Sequence, residues 1–103
     1  MKYAIVAEFE ARPGYGAELE QILKDTAAYT LRDEPLCLRF EILQACEEDG
    51  TPIPDRFLSN ELFASFAGIE AHRADPRTPG RRDRLREICS HRRLIHAGLV
   101  GGA

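Results

Sequence analysis

Tryptophan is absent from this chain, methionine occurs once, and only three cysteines are present among 103 residues. Cys37, Cys46 and Cys89 form no C-x-x-C pair, and no Cys/His grouping has zinc spacing. No metal site is expected, and the thiols read as free in a reducing compartment. No stretch approaches the ~20 apolar residues of a membrane span. The opening run, Tyr3 to Ala7, is short and meets Glu8 and Glu10 at once, which is not the pattern of a secretory leader. These absences point to a cytoplasmic protein without a membrane partner. Internal repeats and low-complexity segments are also missing, so residues 1–103 read as a single domain.

The formal net charge is −3, but its distribution is uneven. Acids outnumber bases 14 to 6 over residues 1–70, and bases outnumber acids 8 to 3 over residues 71–103. One end of the fold is therefore expected to be positive. The basic run holds Arg73, Arg77, Arg81, Arg82, Arg84, Arg86, Arg92 and Arg93. It lacks interleaved aromatics, and no nucleic-acid-binding motif accompanies it, so no nucleic-acid partner is expected. It reads either as a solvated helix face or as a place that recognises a carboxylate or phosphate by paired hydrogen bonds.

Periodicity gives seven elements. Tyr3–Phe9 alternates and reads as a strand, followed by a turn at Arg12-Pro13-Gly14-Tyr15-Gly16. A helix over 17–32 carries the stripe Leu19, Ile22, Leu23, Thr26 and Ala27, and Pro35 stops it. Leu38–Ala45 is the second strand, with Leu38, Phe40 and Ile42 on one face. Cys46–Asp55 reads as an exposed loop, long for a hairpin connection. Arg56–Phe63 is a strand and Ser65–Ala74 a short helix. A third helix is expected over Arg81–Ser90, with Leu85, Ile88 and Cys89 turned inward. Arg92–Val100 is the last strand. Strand, helix, strand, strand, helix, helix, strand describes a ferredoxin-like α+β fold: a four-stranded antiparallel sheet with helices on one face. Apolar groups on both strand faces, including Tyr3, Val6, Leu38, Leu43, Leu58 and Leu62, would leave a patch in water that monomers rarely tolerate. A homodimer through the sheet face resolves this.

Four segments in order resemble the antibiotic biosynthesis monooxygenase superfamily of dimeric α/β-barrel proteins. They are Val6–Gly14, Glu34–Ile42 (family pattern EPGCLRYEV), Arg56–Phe63 (RFVLYEVW), and Gly68–His72 with Asp75-Pro76 (ALEAH…SP). The resemblance spans Tyr3 to Val100. It implies two sheets meeting as a barrel and a pocket between each sheet and its helices. Family activities include cofactor-independent oxygenation of phenolic polyketides, quinol oxygenation, isomerisation of a phosphorylated sugar, and haem degradation. The chain departs from the pattern at Phe63 (tryptophan in the family), Asn60 (tyrosine) and Arg77 (a second histidine). Arg82-Asp83 and Ala7-Glu8 stand where haem-degrading relatives have a histidine and an asparagine, which disfavours haem. No cofactor is expected.

The candidate site lies on the strand and helix spanning 56–76. His72 can exchange a proton near neutral pH, and a cofactor-independent oxygenase needs a base to make an electron-rich phenolate. His72 also has a plainer reading, as a residue packing a helix end. Phe57, Ser59, Glu61 and Phe63 share one strand face, and Leu58, Asn60 and Leu62 share the other. The resemblance directs the Phe63 face to the pocket, with Phe63 and Phe66 as a stacking wall and Ser59, Asn60 and Glu61 as polar substrate contacts. Asn60 falls on the barrel side in that register. Ordinary core packing of the phenylalanines and an ion pair of Glu61 with Arg39 or Arg56 are the alternatives. His91 and His96 read as structural. The leading functional expectation is a cofactor-independent monooxygenase acting on an aromatic or quinone-like small molecule. The others are an isomerase or lyase on a small anionic metabolite, and a non-enzymatic dimeric binding protein.

Overall fold

Alternating apolar residues in β1 (Tyr3–Ala11) make it a central strand of the antiparallel sheet, whose order is β2-β3-β1-β4. The structure is a computed structural model that describes residues 1–102. The remaining elements are α1 (Gly16–Asp33), β2 (Cys37–Cys46), β3 (Pro52–Phe63), α2 (Phe66–Ala74), α3 (Thr78–Ile88) and β4 (Cys89–Gly98). This is the ferredoxin-like order expected from the sequence. Three helices cover one face of the sheet.

The β1–β3 register pairs Ile5 with Glu61, Ala7 with Ser59 and Phe9 with Phe57. Directly paired residues share a face, so these six side chains and Phe63 all meet the helices, and all are buried. Register shifts alter the alternation elsewhere: two in the β2–β3 ladder, at Cys37/Arg39 and Gln44/Cys46, and one in the β1–β4 ladder. In β2 an extra residue between Cys37 and Arg39 lets Cys37 and Phe40 both face inward and leaves Leu38 exposed. Phe40 and Ile42 share the inward face as expected, opposite Glu61 and Ser59, while Leu38 does not and is corrected to the other face. In β4 a shift at Ser90 turns Cys89 inward opposite Ala11, while Arg92, Leu94 and His96 align with Phe9, Ala7 and Ile5.

The expected long loop between the second and third strands is a hairpin instead. β2 and β3 extend until only residues 47–51 connect them, closed by Glu47 N donating to Thr51 O at 2.8 Å and by Gly50 at φ 90°. Pro52 and Pro54 lie in β3 beyond the end of β1, where no ladder donor is required. There Gln44 Nε2 donates to the carbonyls of Ile53 and Arg56 at 2.8 and 3.0 Å. Helix α3 begins at Thr78, three residues before the expected start, with Pro79 tolerated in its first turn.

The helix-side core is two apolar clusters. Ala7, Phe9, Leu19, Leu23, Phe57, Leu85 and Ile88 form one; Ile5, Ala27, Phe40, Phe63 and Ile69 form the other. Half-buried Ile42 touches both. Helix α2 approaches β3 closely at Gly68, where an added Cβ would lie 3.0 Å from Leu36 Cβ and 3.1 Å from Phe63 Cβ. That approach sets the height of His72 one turn further along. Arg77 ties the same corner together, bonding Asp33 at 3.2 Å and Asp75 at 2.7 Å while its guanidinium lies 3.6 Å from the Tyr29 ring centre.

The opposite sheet face carries Val6, Leu43, Leu58, Leu62 and Ile95 with no helix over it; Leu43 and Ile95 are among the exposed large apolar residues. Tyr3 does not belong to that face, because its partners are Phe63 and Gly98 and its ring meets Phe66 edge-on at 5.6 Å. Among the described residues, no helix is long and apolar enough to cross a membrane.

Candidate active site

Polar groups interrupt the helix-side core where the two apolar clusters meet. A cavity of about 230 Å³ opens there, between the sheet and helices α1, α2 and α3. Its walls include Phe9, Phe40, Ser59, Glu61 and His72. Arg73, Arg81, Arg82 and Arg92 also line it, together with Leu94 and His96.

Four buried polar side chains stand in line at this seam. Glu34, just past the C-terminus of α1, accepts from His72 Nδ1 at 3.1 and 3.2 Å. With Nδ1–H held there, Nε2 carries the lone pair and faces Glu61, 3.9 Å from Oε1. Ser59 Oγ donates to Glu61 Oε2 at 2.9 Å. The rings of Phe40 and Phe63 flank the imidazole at 5.8 and 5.6 Å between centroids, and Thr78 Oγ1 donates to the His72 carbonyl at 3.2 Å. Packing and hydrogen bonding thus fix the imidazole in one orientation.

Burial sets the proton affinities. It pushes the Glu61 carboxyl up to about 7, against the lowering effects of the Ser59 hydroxyl and the Arg81 charge. Burial also pulls the His72 imidazole below its ordinary value, while Glu34 acts in the opposite direction. At neutral pH, Glu61 is poised between its two protonation states and His72 is predominantly a neutral base. A small rotation of the Glu61 carboxyl closes the 3.9 Å gap to the fixed imidazole to a hydrogen bond. The pair can therefore take a proton from a bound molecule and store it.

Of the expected site residues, Ser59, Glu61 and His72 meet at the cavity. Phe63 is fully buried behind His72 and does not line it. Phe66 is 47% exposed and packs on Tyr3 at the outer end of α2. Asn60 points to the opposite sheet face, where Nδ2 donates to Glu41 at 3.2 Å. Glu61 pairs with neither Arg39 nor Arg56, whose carboxylate partners are Glu41 and Glu10. Phe9 and Phe40 supply the aromatic wall in place of Phe63 and Phe66. Glu34 was not singled out as a site residue. Nothing local in the sequence marks it, because its partner is 38 positions away. The arginines did leave a signal: Arg81 and Arg82 precede inward-facing Leu85 by four and three residues, which puts them on its side of the helix.

Among the described residues, no three His, Cys, Asp or Glu side chains gather as a metal-binding group. Cys37 and Cys89 are buried and free, and burial pushes the Cys37 thiol up to about 11.

The chain is a two-layer α+β domain with a buried acid–histidine seam beneath its helices. The sequence model for antibiotic biosynthesis monooxygenases matches residues 2–78, and the chain belongs to that family. Similar solved structures include Rv0793 from Mycobacterium tuberculosis, which is 20% identical with a TM-score of 0.85. That match covers 100% of this chain and 99% of the other. A variant of SnoaB from Streptomyces nogalater, described as a cofactor-independent oxygenase, is 18% identical with a TM-score of 0.80. It covers 98% of this chain and 95% of its own. PA3566 from Pseudomonas aeruginosa is 18% identical with a TM-score of 0.80, covering 97% and 95%. No curated protein is significantly similar in sequence.

Proposed function

We propose that this protein is a cofactor-independent monooxygenase acting on an aromatic or quinone-like small molecule in the helix-side cavity, with His72 as the group that takes the substrate proton. The observation that carries this reading is the line Glu34–His72–Glu61–Ser59, whose last three members line the cavity with Glu34 behind them. Removal of a proton from a phenol or an activated ring C–H leaves an electron-rich anion. That anion reduces dioxygen and forms a peroxide at carbon. Collapse of the peroxide leaves one oxygen atom in a quinone and releases the other as water, with two hydrogens lost from the substrate. The residues take, hold and return protons, and Phe40 offers a flat wall beside His72. The oxygenase description of the SnoaB relative supports the reading at the level of the fold. The unpartnered sheet face fits a homodimer of the kind common in this family.

The test is aerobic incubation with a panel of hydroquinones and anthrones, following oxygen uptake by wild type and His72→Ala. Loss of uptake in the variant is expected, and equal rates would remove His72 from the reaction. A second reading is favoured by the arginines on the cavity wall: isomerisation or lysis of a small anionic metabolite. It predicts product formation in the absence of oxygen, so an anaerobic control separates the two.

A further inference from the structure

Six arginines of this chain have a carboxylate within salt-bridge distance: Arg32, Arg39, Arg56, Arg77, Arg84 and Arg86. Arg12 and Arg93 have none and lie away from the cavity. The four that line the cavity also have none among the described residues. Arg81 donates only to the Tyr29 hydroxyl and, at 3.4 Å, to Thr78 Oγ1. Arg73 lies over the Phe66 ring at 5.8 Å. Arg92 is placed on the helix side of β4 by its pairing with Phe9, and its Nε is buried with no acceptor.

A buried guanidinium N–H without a partner is costly. Here the cost is compounded, since the Arg92 charge is disfavoured by burial first and then by Arg82, with Arg81 and Arg86 adding to it. Repulsion of this kind costs stability in the empty site and is relieved when an anion is bound there. The only other ionisable groups on the cavity wall are Glu61, His72 and His96. Glu61 is engaged by Ser59 and poised near neutrality, so it does not serve as the missing counter-charge.

We propose that the substrate carries an oxyanion group, a carboxylate or a phosphate, held by Arg81, Arg82 and Arg92. Its reacting part then lies toward His72 and Glu61. This rests on the reading of the cavity as a substrate site, but it does not depend on the reaction being an oxygenation. The volume of about 230 Å³ lies below the ~300 Å³ at which typical ligand pockets begin. It therefore selects a one- or two-ring acid over an extended polycycle. Guanidinium forks match the planar oxygens of such groups and are less strongly hydrated than ammonium, which suits a partly dry wall.

The experiment measures binding without turnover, by calorimetry under nitrogen at fixed ionic strength. The probes are 1-hydroxy-2-naphthoate, its neutral counterpart 1-naphthol, and phenyl phosphate. The carboxylate or the phosphate is expected to bind about tenfold or more tightly than 1-naphthol, and the tighter of the two identifies the group. Arg82→Gln, at an exposed helix position, and Arg92→Met should each weaken the anion about tenfold and leave 1-naphthol unchanged. Arg92→Met should also keep or raise the melting temperature of the empty protein, which loss of a structural arginine would not do. Equal affinity for acid and alcohol in wild type, no binding of either anion at millimolar concentration, or equal weakening of all probes in the variants would overturn the proposal. Tight binding of 1-hydroxy-2-naphthoate with no oxygen uptake in air would overturn the monooxygenase reading and leave this one standing.

Discussion

Replacing Glu61 with glutamine tests whether a buried, ionisable acid sits at the centre of the seam. The carboxyl is 5% exposed and its proton affinity is raised from an ordinary 4.5 to about 7. A group held more tightly protonated in the folded state than in the unfolded state stabilises the fold below its unfolded value. That contribution is lost as pH rises to the folded value. Stability should thus fall by ~1.4 kcal/mol per pH unit across this interval, or ~3 kcal/mol in all. Glutamine has nearly the same shape, can still accept from Ser59 Oγ, and cannot ionise. Relative to wild type, Glu61→Gln should be near neutral at pH 4.5 and more stable by ~3 kcal/mol at pH 8. His72 contributes with the opposite sign, because its lowered folded value makes stability fall as pH drops below 6.5. That contribution is common to both proteins and cancels to first order in their difference. Urea unfolding from pH 4.5 to 9, at one protomer concentration because association shifts apparent stability, gives the difference directly. A difference that stays constant across this range would refute the assignment of a buried carboxyl with a raised proton affinity.

Two further predictions concern the support around that acid. The His72 imidazole should titrate below 6.5 by NMR, and Glu34→Gln should move it lower still, because Glu34 is the group that opposes burial there; a shift upward would show that Glu34 is not the partner of Nδ1. Gly68→Ala should destabilise the protein by ~1–3 kcal/mol through overpacking against Leu36 and Phe63. Because Gly68 sets the seat of α2, thermal unfolding and the His72 titration should change together, and an unchanged melting temperature would refute the close approach.

The strand faces of β3 were legible in the sequence, because strict alternation from Phe57 to Phe63 leaves little freedom about which side chains meet the helices. The same rule reads incorrectly in β2. A bulge at Leu38 resets the parity, and nothing in a run of Leu, Arg and Phe marks where a residue will be skipped. The hairpin after Cys46 was hidden for a related reason. Prolines at 52 and 54 usually argue against a strand, yet here they run beyond β1, and the Gln44 amide bonds the neighbouring carbonyls. At the site, His72 with Ser59 and Glu61 could be read from one contiguous segment. Glu34 could not, since its role arises only when the end of α1 is brought against α2. Phe63 shows the limit of reasoning from resemblance: it faces inward as expected, but it packs against His72 and does not line the cavity.

The arginines and the acid–histidine seam are not independent. The Arg81 charge lowers the proton affinity of both Glu61 and His72. An anion seated against Arg81 offsets that field, so both groups should bind protons more tightly when the cavity is filled. The empty site therefore keeps its base weak, and an anion bound as proposed would strengthen it. Binding must then be accompanied by proton uptake, greatest near pH 7 where Glu61 is half-titrated, and small by pH 9. Calorimetry of 1-hydroxy-2-naphthoate binding in two buffers of different ionisation enthalpy measures that uptake. Glu61→Gln should remove most of it at pH 7 without abolishing binding. A binding enthalpy independent of buffer would mean that the anion does not lie within the field of Arg81, and that the two halves of the cavity act separately.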